Sequence, residues 1–189
     1  MSNYPHIDNY YKNVSELIGE PVDITEKIDG CNFSILVRPD GFYSYRSKGQ
    51  EIVNSEGLKF NEEATNKNYG QFRDAVILAN KLLPTLLNLQ TKEVIYYFEF
   101  FGAKIQGRIN YSEYLDKCPS FQENSKSLIL IDIKFGDKWL DWDQIRIWHG
   151  LLLPLLGYYI PIVAHTPREK LSITDIEHIR AGTDAFSWL

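Results

Sequence analysis

Thr25-Glu26-Lys27-Ile28-Asp29-Gly30-Cys31-Asn32-Phe33-Ser34-Ile35-Leu36 is the stretch on which the reading of this chain turns. At its centre a lysine is followed two residues later by a carboxylate and then by a glycine. A lysine amine attacks phosphorus only when neutral, and with an ordinary pKa near ~10.4 it is charged at neutral pH unless neighbouring cations or burial lower that value. A covalent nucleotidyl carrier needs a lysine placed in this way. Alone, K-x-D-G is a weak signal. It arises by chance in roughly a few per cent of chains this long, and most such lysines are surface residues beside a turn.

The context on the C-terminal side is more informative. Asn32 to Val37 alternates and is rich in strand formers, Arg38-Pro39-Asp40-Gly41 reads as a turn, and Phe42 to Ser47 alternates again. A β-hairpin therefore follows the lysine loop directly. Its second arm ends in Arg46-Ser47-Lys48-Gly49, read as a basic, flexible tip. Cations returned beside a reactive lysine would hold a triphosphate and help keep the amine neutral; an ordinary exposed hairpin end is the other reading.

The 189 residues, 44% hydrophobic and 14% aromatic, suffice for one substantial core and argue against disorder. A single domain over 1–189 is expected. The net charge of −5 excludes a uniformly basic surface, so any nucleic-acid contact must come from a local patch. Cys31 and Cys118 are far apart and lack His or Cys partners at metal spacing, which argues against a zinc site or a disulfide framework and fits a reducing compartment. No signal peptide is read at the N-terminus. The apolar run Leu151 to Val163 is too short to span a bilayer and contains Pro154, Gly157 and Pro161, so no membrane segment is expected.

Along the chain, Tyr4 to Asp23 reads as a lead-in with a helical turn at Val14 to Ile18, and Glu51 to Tyr69 as a polar surface excursion. Phe72, Val76, Ala79, Leu82, Leu83 and Leu86 recur at helical spacing and predict a helix over Gln71 to Leu89. Val94 to Gly102 reads as a strand with Tyr97, Glu99 and Phe101 on one face and Tyr96, Phe98 and Phe100 on the other. Glu99 among so many rings needs hydrogen-bond donors, which ribose hydroxyls supply, or else a solvated sheet face. Leu128 to Phe135 is a further strand, with Ile129, Ile131, Ile133 and Phe135 expected as its apolar face and Asp132 inside it. Asp143 towards Leu156 reads as a helix with His149 packed or at the surface. Tyr158 to Ala164 reads as a strand, and Ser172-Ile173-Thr174-Asp175 as the capping box of a helix to Arg180.

These residues together resemble the ATP-dependent, nick-sealing RNA ligases found in phages and elsewhere, within the covalent nucleotidyltransferase superfamily. The resemblance rests on E-K-x-D-G-x-N-F at Glu26 to Phe33, on the Arg46 loop, on F-E-F-F-G at Phe98 to Gly102, and on I-D-I at Ile131 to Ile133. It implies Lys27 as the nucleophile that takes AMP from ATP with Mg²⁺. It also implies a nucleotide pocket built from Glu26, Ile28, Asp29, Gly30, Asn32, Arg46, Glu99, Phe101 and Asp132, with no metal ligand assigned. Glu99 would contact the ribose, while Lys104 and Arg108 would touch phosphate or simply be exposed. Where the family commonly stacks an aromatic residue on adenine, this chain has Ile131, so base binding is looser or another ring substitutes. The implied partners are RNA ends or a nicked duplex, and the implied location is cytoplasmic, or the host cytoplasm for a phage protein.

The family's later E-G-x-V and K-x-K segments have no convincing counterpart, since Glu56-Gly57-Leu58-Lys59 comes too early. Expected, therefore, is an α+β nucleotidyltransferase (ATP-grasp-like ligase) domain of mainly antiparallel mixed sheets with helices packed outside, apparently incomplete at its C-terminus and weak or inactive alone. The alternatives are a non-catalytic nucleotide- or RNA-binding module, or one half of a split ligase whose second polypeptide supplies the missing motifs.

Overall fold

A computed structural model describes residues 23–25, 28–48, 50–56, 62–89, 91–105, 115–116, 121–156 and 162–165. In chain order the strands are β1 (Asp23–Thr25), β2 (Cys31–Val37), β3 (Tyr43–Ser47), β4 (Gln50–Asn54), β5 (Val94–Gly102), β6 (Lys126–Phe135), β7 (Lys138–Trp139) and β8 (Ile162–His165). The long helices are α1 (Glu62–Asn88) and α2 (Trp142–Leu156). Two compact units emerge. One contains β2 to β7 with both helices; in the other, β1 pairs antiparallel with β8.

The larger unit is built on a six-stranded sheet in the order β4-β3-β2-β5-β6-β7, every pairing antiparallel. This is the α+β class anticipated from the strand pattern. The β2–β3 hairpin closes as its turn residues dictate. Gly41 takes φ +86°, its N–H reaches the Arg38 carbonyl at 3.1 Å, and the Asp40 carboxylate accepts the Phe42 N–H at 2.9 Å. Helix α2 starts at a reciprocal cap in which Asp141 Oδ1 accepts the Gln144 N–H at 2.9 Å and Gln144 Oε1 accepts the Asp141 N–H at 3.1 Å.

Both helices contribute to one core on one face of the sheet. Phe72, Ala75, Val76, Leu78, Ala79, Leu82 and Leu86 of α1 and Leu152 of α2 meet Phe33, Ile35 and Val37, Tyr45, Tyr96, Phe98 and Phe100, and Leu128, Leu130 and Ile133. Fully burying each large side chain is worth about 1.5–3 kcal/mol, so stability is concentrated on the helix side. An ion pair pins α1 to β6: Lys126 Nζ bonds Asp74 Oδ2, and Asn124 Nδ2 donates to Asp74 Oδ1 at 2.9 Å. Burial opposes the charge of Asp74, but bonds from Lys126 and Asn124 hold its carboxyl below the usual range. His149 is also part of this packing. It is buried, and its Nε2 lies 3.0 Å from the Leu130 carbonyl, so it is a packed histidine.

Three sequence expectations change. The polar excursion from Glu51 contains β4, an edge strand with only Ile52 and Val53 apolar, and α1 begins at Glu62. The helix formers Glu62, Glu63 and Ala64 carry no apolar period, which is why periodicity placed the start at Gln71. Arg46 and Ser47 belong to β3, not to a flexible tip.

The apolar face of β6 also differs. Tyr97 pairs with Asp132 but Phe98 pairs with Leu130, leaving Ile131 as the extra residue of a β-bulge. The core face is therefore Leu128, Leu130 and Ile133, while Ile131 packs with Leu36, Ile95 and Tyr97 on the opposite side. Glu26, Lys27, Gly49, Arg108, the lead-in before Asp23 and the helix expected from Ser172 lie outside the described residues.

Candidate functional site

Directly opposed residues in an antiparallel pair project from the same face of a sheet. Applied to the observed register, this rule places Arg46, Ser34, Tyr97 and Asp132 in one row across β3, β2, β5 and β6, on the face away from the helix core. Asn32 and Glu99 face each other one step along the strands on that same face. With strands ~4.8 Å apart, the row from Arg46 to Asp132 spans about 14 Å. The alternation expected for Tyr97, Glu99 and Phe101 holds, and Phe101 is completely buried on that side.

The bulge at Ile131 is what brings Asp132 into the row. Uninterrupted alternation from Leu130 would turn Asp132 towards the helices. Its Oδ1 accepts the Ile133 N–H at 2.8 Å, and its charge is felt by Tyr97. Burial pushes the Tyr97 hydroxyl above its ordinary pKa; Asp132 adds to this and Arg46 opposes it. Trp139 on β7 lies against the Tyr97 ring at 5.2 Å between centroids.

Ile28 to Gly30 lead into β2 beside Glu99. Ile28 is buried, and Gly30 sits so tightly on β5 that a Cβ there would be 2.4 Å from the Phe100 carbonyl oxygen and 3.0 Å from Glu99 Cγ. The glycine of K-x-D-G is thus required by close backbone approach. Two residues further, the Asn32 amide nitrogen Nδ2 is buried without a hydrogen-bond partner among the described residues. A buried donor left in this state costs free energy unless a ligand or water satisfies it. Cys31 faces the other way, and burial pushes its thiol up, with Glu99 adding to the effect.

Arg46 is tethered at its root. Its Nε donates to Ser44 Oγ at 3.0 Å and its Nη2 approaches Glu51 Oε2 at 3.4 Å. Sequence reading missed Glu51, because nothing in a polar stretch marks a residue whose partners lie on another strand. Lys104 is exposed in the turn after β5, with φ 64°. No group of three or more His, Cys, Asp or Glu side chains suited to a metal occurs among the described residues. No helix among them is long and apolar enough to cross a membrane.

A family model described as RNA ligase matches residues 20–184. No curated protein matches the chain in sequence. Among solved structures, a variant of the Naegleria gruberi RNA ligase with ATP and Mn aligns with a TM-score of 0.59 at 16% identity, over 90% of this chain and 45% of that one. A second variant of the same ligase with ATP and Mn gives 0.59 at 15% identity over the same shares, 90% and 45%. The same ligase with PPi gives 0.55 at 16% identity, over 84% of this chain and 41% of that one. At these identities the likeness is one of fold, and the chain spans less than half the length of the ligase it matches.

Proposed function

Because the chain belongs to the RNA ligase family, we propose that it carries the adenylyltransferase chemistry of an ATP-dependent RNA ligase, with Lys27 as the nucleophile. The supporting observation is the gathering of Arg46, Asn32, Glu99 and Asp132 on one sheet face beside the loop that Gly30 wedges onto β5. A polar row with an unsatisfied amide donor suits a nucleotide, which offers acceptors on its phosphates and base and donors on its ribose.

In the proposed first step the neutral Lys27 amine attacks the α-phosphorus of ATP. The N–P bond forms as the P–O bond to pyrophosphate breaks. The lysyl-AMP then transfers AMP to an RNA 5′-phosphate, and a neighbouring 3′-hydroxyl displaces that AMP to seal the strand at an RNA end or nick. Each step is an in-line displacement at phosphorus, in which fixed cations and donors stabilise charge on the oxygens. Arg46 supplies a cation on this face for the phosphates. Glu99 accepts from the ribose hydroxyls, and Asn32 donates to an acceptor of the nucleotide.

The solved relatives hold Mn alongside nucleotide. The described residues offer no cluster of carboxylates to hold a divalent ion. The expectation of a second polypeptide draws no support from the comparisons.

The test is transfer of label from α-labelled ATP, with Mg²⁺, to the purified chain and to Lys27→Ala. Label that survives denaturation and alkali but is released by acid, as a phosphoramidate is, present in the wild type and lost in the variant, supports the reading. A wild-type chain that is folded and binds ATP yet takes no label sinks catalysis by this chain alone and favours a fragment, one half of a split ligase, or the non-catalytic nucleotide- or RNA-binding module.

A further inference from the structure

We propose that Glu51, on the edge strand β4, is a positioning residue that orients the Arg46 guanidinium towards the phosphates of the nucleotide. The inference rests on the reading of Arg46 as a phosphate contact. A second β-bulge carries it. Tyr45 pairs with Val53 but Arg46 pairs with Glu51, so Ile52 is the extra residue, and Glu51 comes to lie directly across from Arg46 on the same face. Ile52 packs onto the helix-side core, which anchors the bulge.

The polar groups around Glu51 form one directed network. Glu51 Oε2 accepts from Ser44 Oγ at 2.7 Å and from Arg46 Nη2 at 3.4 Å, while Oε1 accepts from Asn54 Nδ2 at 2.6 Å. Ser44 Oγ in turn accepts from Arg46 Nε at 3.0 Å. Ser44 is completely buried, so its hydroxyl has one consistent arrangement: it receives from arginine and gives to glutamate. That arrangement requires an acceptor at Glu51, and an ionised carboxylate accepts on both oxygens at once. Two N–H groups on one side of the planar guanidinium are thereby committed, which fixes its plane.

Stability does not explain the arrangement. The side chains of Arg46 and Glu51 are 19% and 38% exposed, and ion pairs this open add little to folding. Orientation does explain it. An arginine that must meet a phosphate in a fixed geometry binds better when its rotamers are already restricted.

The experiment compares wild type, Glu51→Gln, Arg46→Ala and the double variant by ATP affinity, thermal midpoint and the ¹⁵N resonance of Arg46 Nε–H. Expected for Glu51→Gln are about tenfold weaker ATP binding, an unchanged midpoint and a shifted Nε–H resonance, with no further loss of affinity in the Arg46→Ala background. Unaltered affinity in Glu51→Gln, or an equal loss in the absence of Arg46, overturns the proposal. If the wild type binds no ATP, the functional reading of Arg46 falls, and with it the role assigned to Glu51. An Nε–H signal that still depends on Glu51 would then show that the tether itself is real.

Discussion

Tyr97 and Asp132 stand directly opposite each other on β5 and β6, and they do so because Ile131 occupies a bulge beside them. The pairing couples a buried hydroxyl to a carboxylate on the face assigned to the nucleotide. Burial is the larger cause of the raised Tyr97 pKa, Asp132 adds to it, and Arg46 opposes it. Asp132→Asn should therefore lower the Tyr97 pKa while leaving it above the ordinary tyrosine value. An alkaline titration followed by NMR of ring-labelled tyrosine measures this, and an unmoved Tyr97 would show that the two groups are not coupled.

Gly30 offers a sharper geometric test. A methyl group there meets the Phe100 carbonyl at 2.4 Å, and β5 cannot yield because β2 and β6 hold it on both sides. The backbone at Gly30 must move instead. Gly30→Ala should cost about 1–3 kcal/mol in urea denaturation, as overpacking does. It should also slow AMP transfer by about 100-fold, since displacement of a reacting group by an ångström has that effect. Full activity in a folded Gly30→Ala chain would contradict the close approach.

His149 predicts a pH dependence of stability with a definite sign. Burial depresses its pKa, and the bond to the Leu130 carbonyl only partly offsets this. The unfolded chain therefore takes up the proton first as pH falls. The contribution is complete above the ordinary histidine value of ~6.5 and is lost as pH drops from there through the folded-state pKa. His149→Gln retains a side-chain donor for Leu130 but does not titrate. Denaturation curves between neutral and mildly acidic pH should show wild type losing more stability than the variant; parallel losses would contradict this.

Much of this architecture is legible in the sequence where chemistry and periodicity coincide. Phe33 to Val37, Val94 to Gly102 and the turn at Asp40-Gly41 announce their strands because the same residues that favour extension also face a core. The opposed faces of β5 follow directly from alternation. The phase of β6 does not, because a bulge is one additional residue in an apolar run, and Leu130-Ile131 gives no sign of which isoleucine is extra. β4 was hidden for a related reason: Gln50, Glu51 and Asn54 look like loop residues until their partners on β3 are known. Glu51 acquires a role only through Ser44 and Arg46, seven and five positions away, on a neighbouring strand.

The two bulges also bear on how such a face withstands inherited changes of length. Ile52 and Ile131 are each one codon, and each is taken up as a bulge, so that the residues on either side keep the pairing they would have without it. Loss of either codon would leave Glu51 across from Arg46 and Asp132 across from Tyr97 in an uninterrupted ladder. In this chain, then, each bulge is a spare position, and an in-frame deletion there is absorbed locally while the polar face keeps its residues.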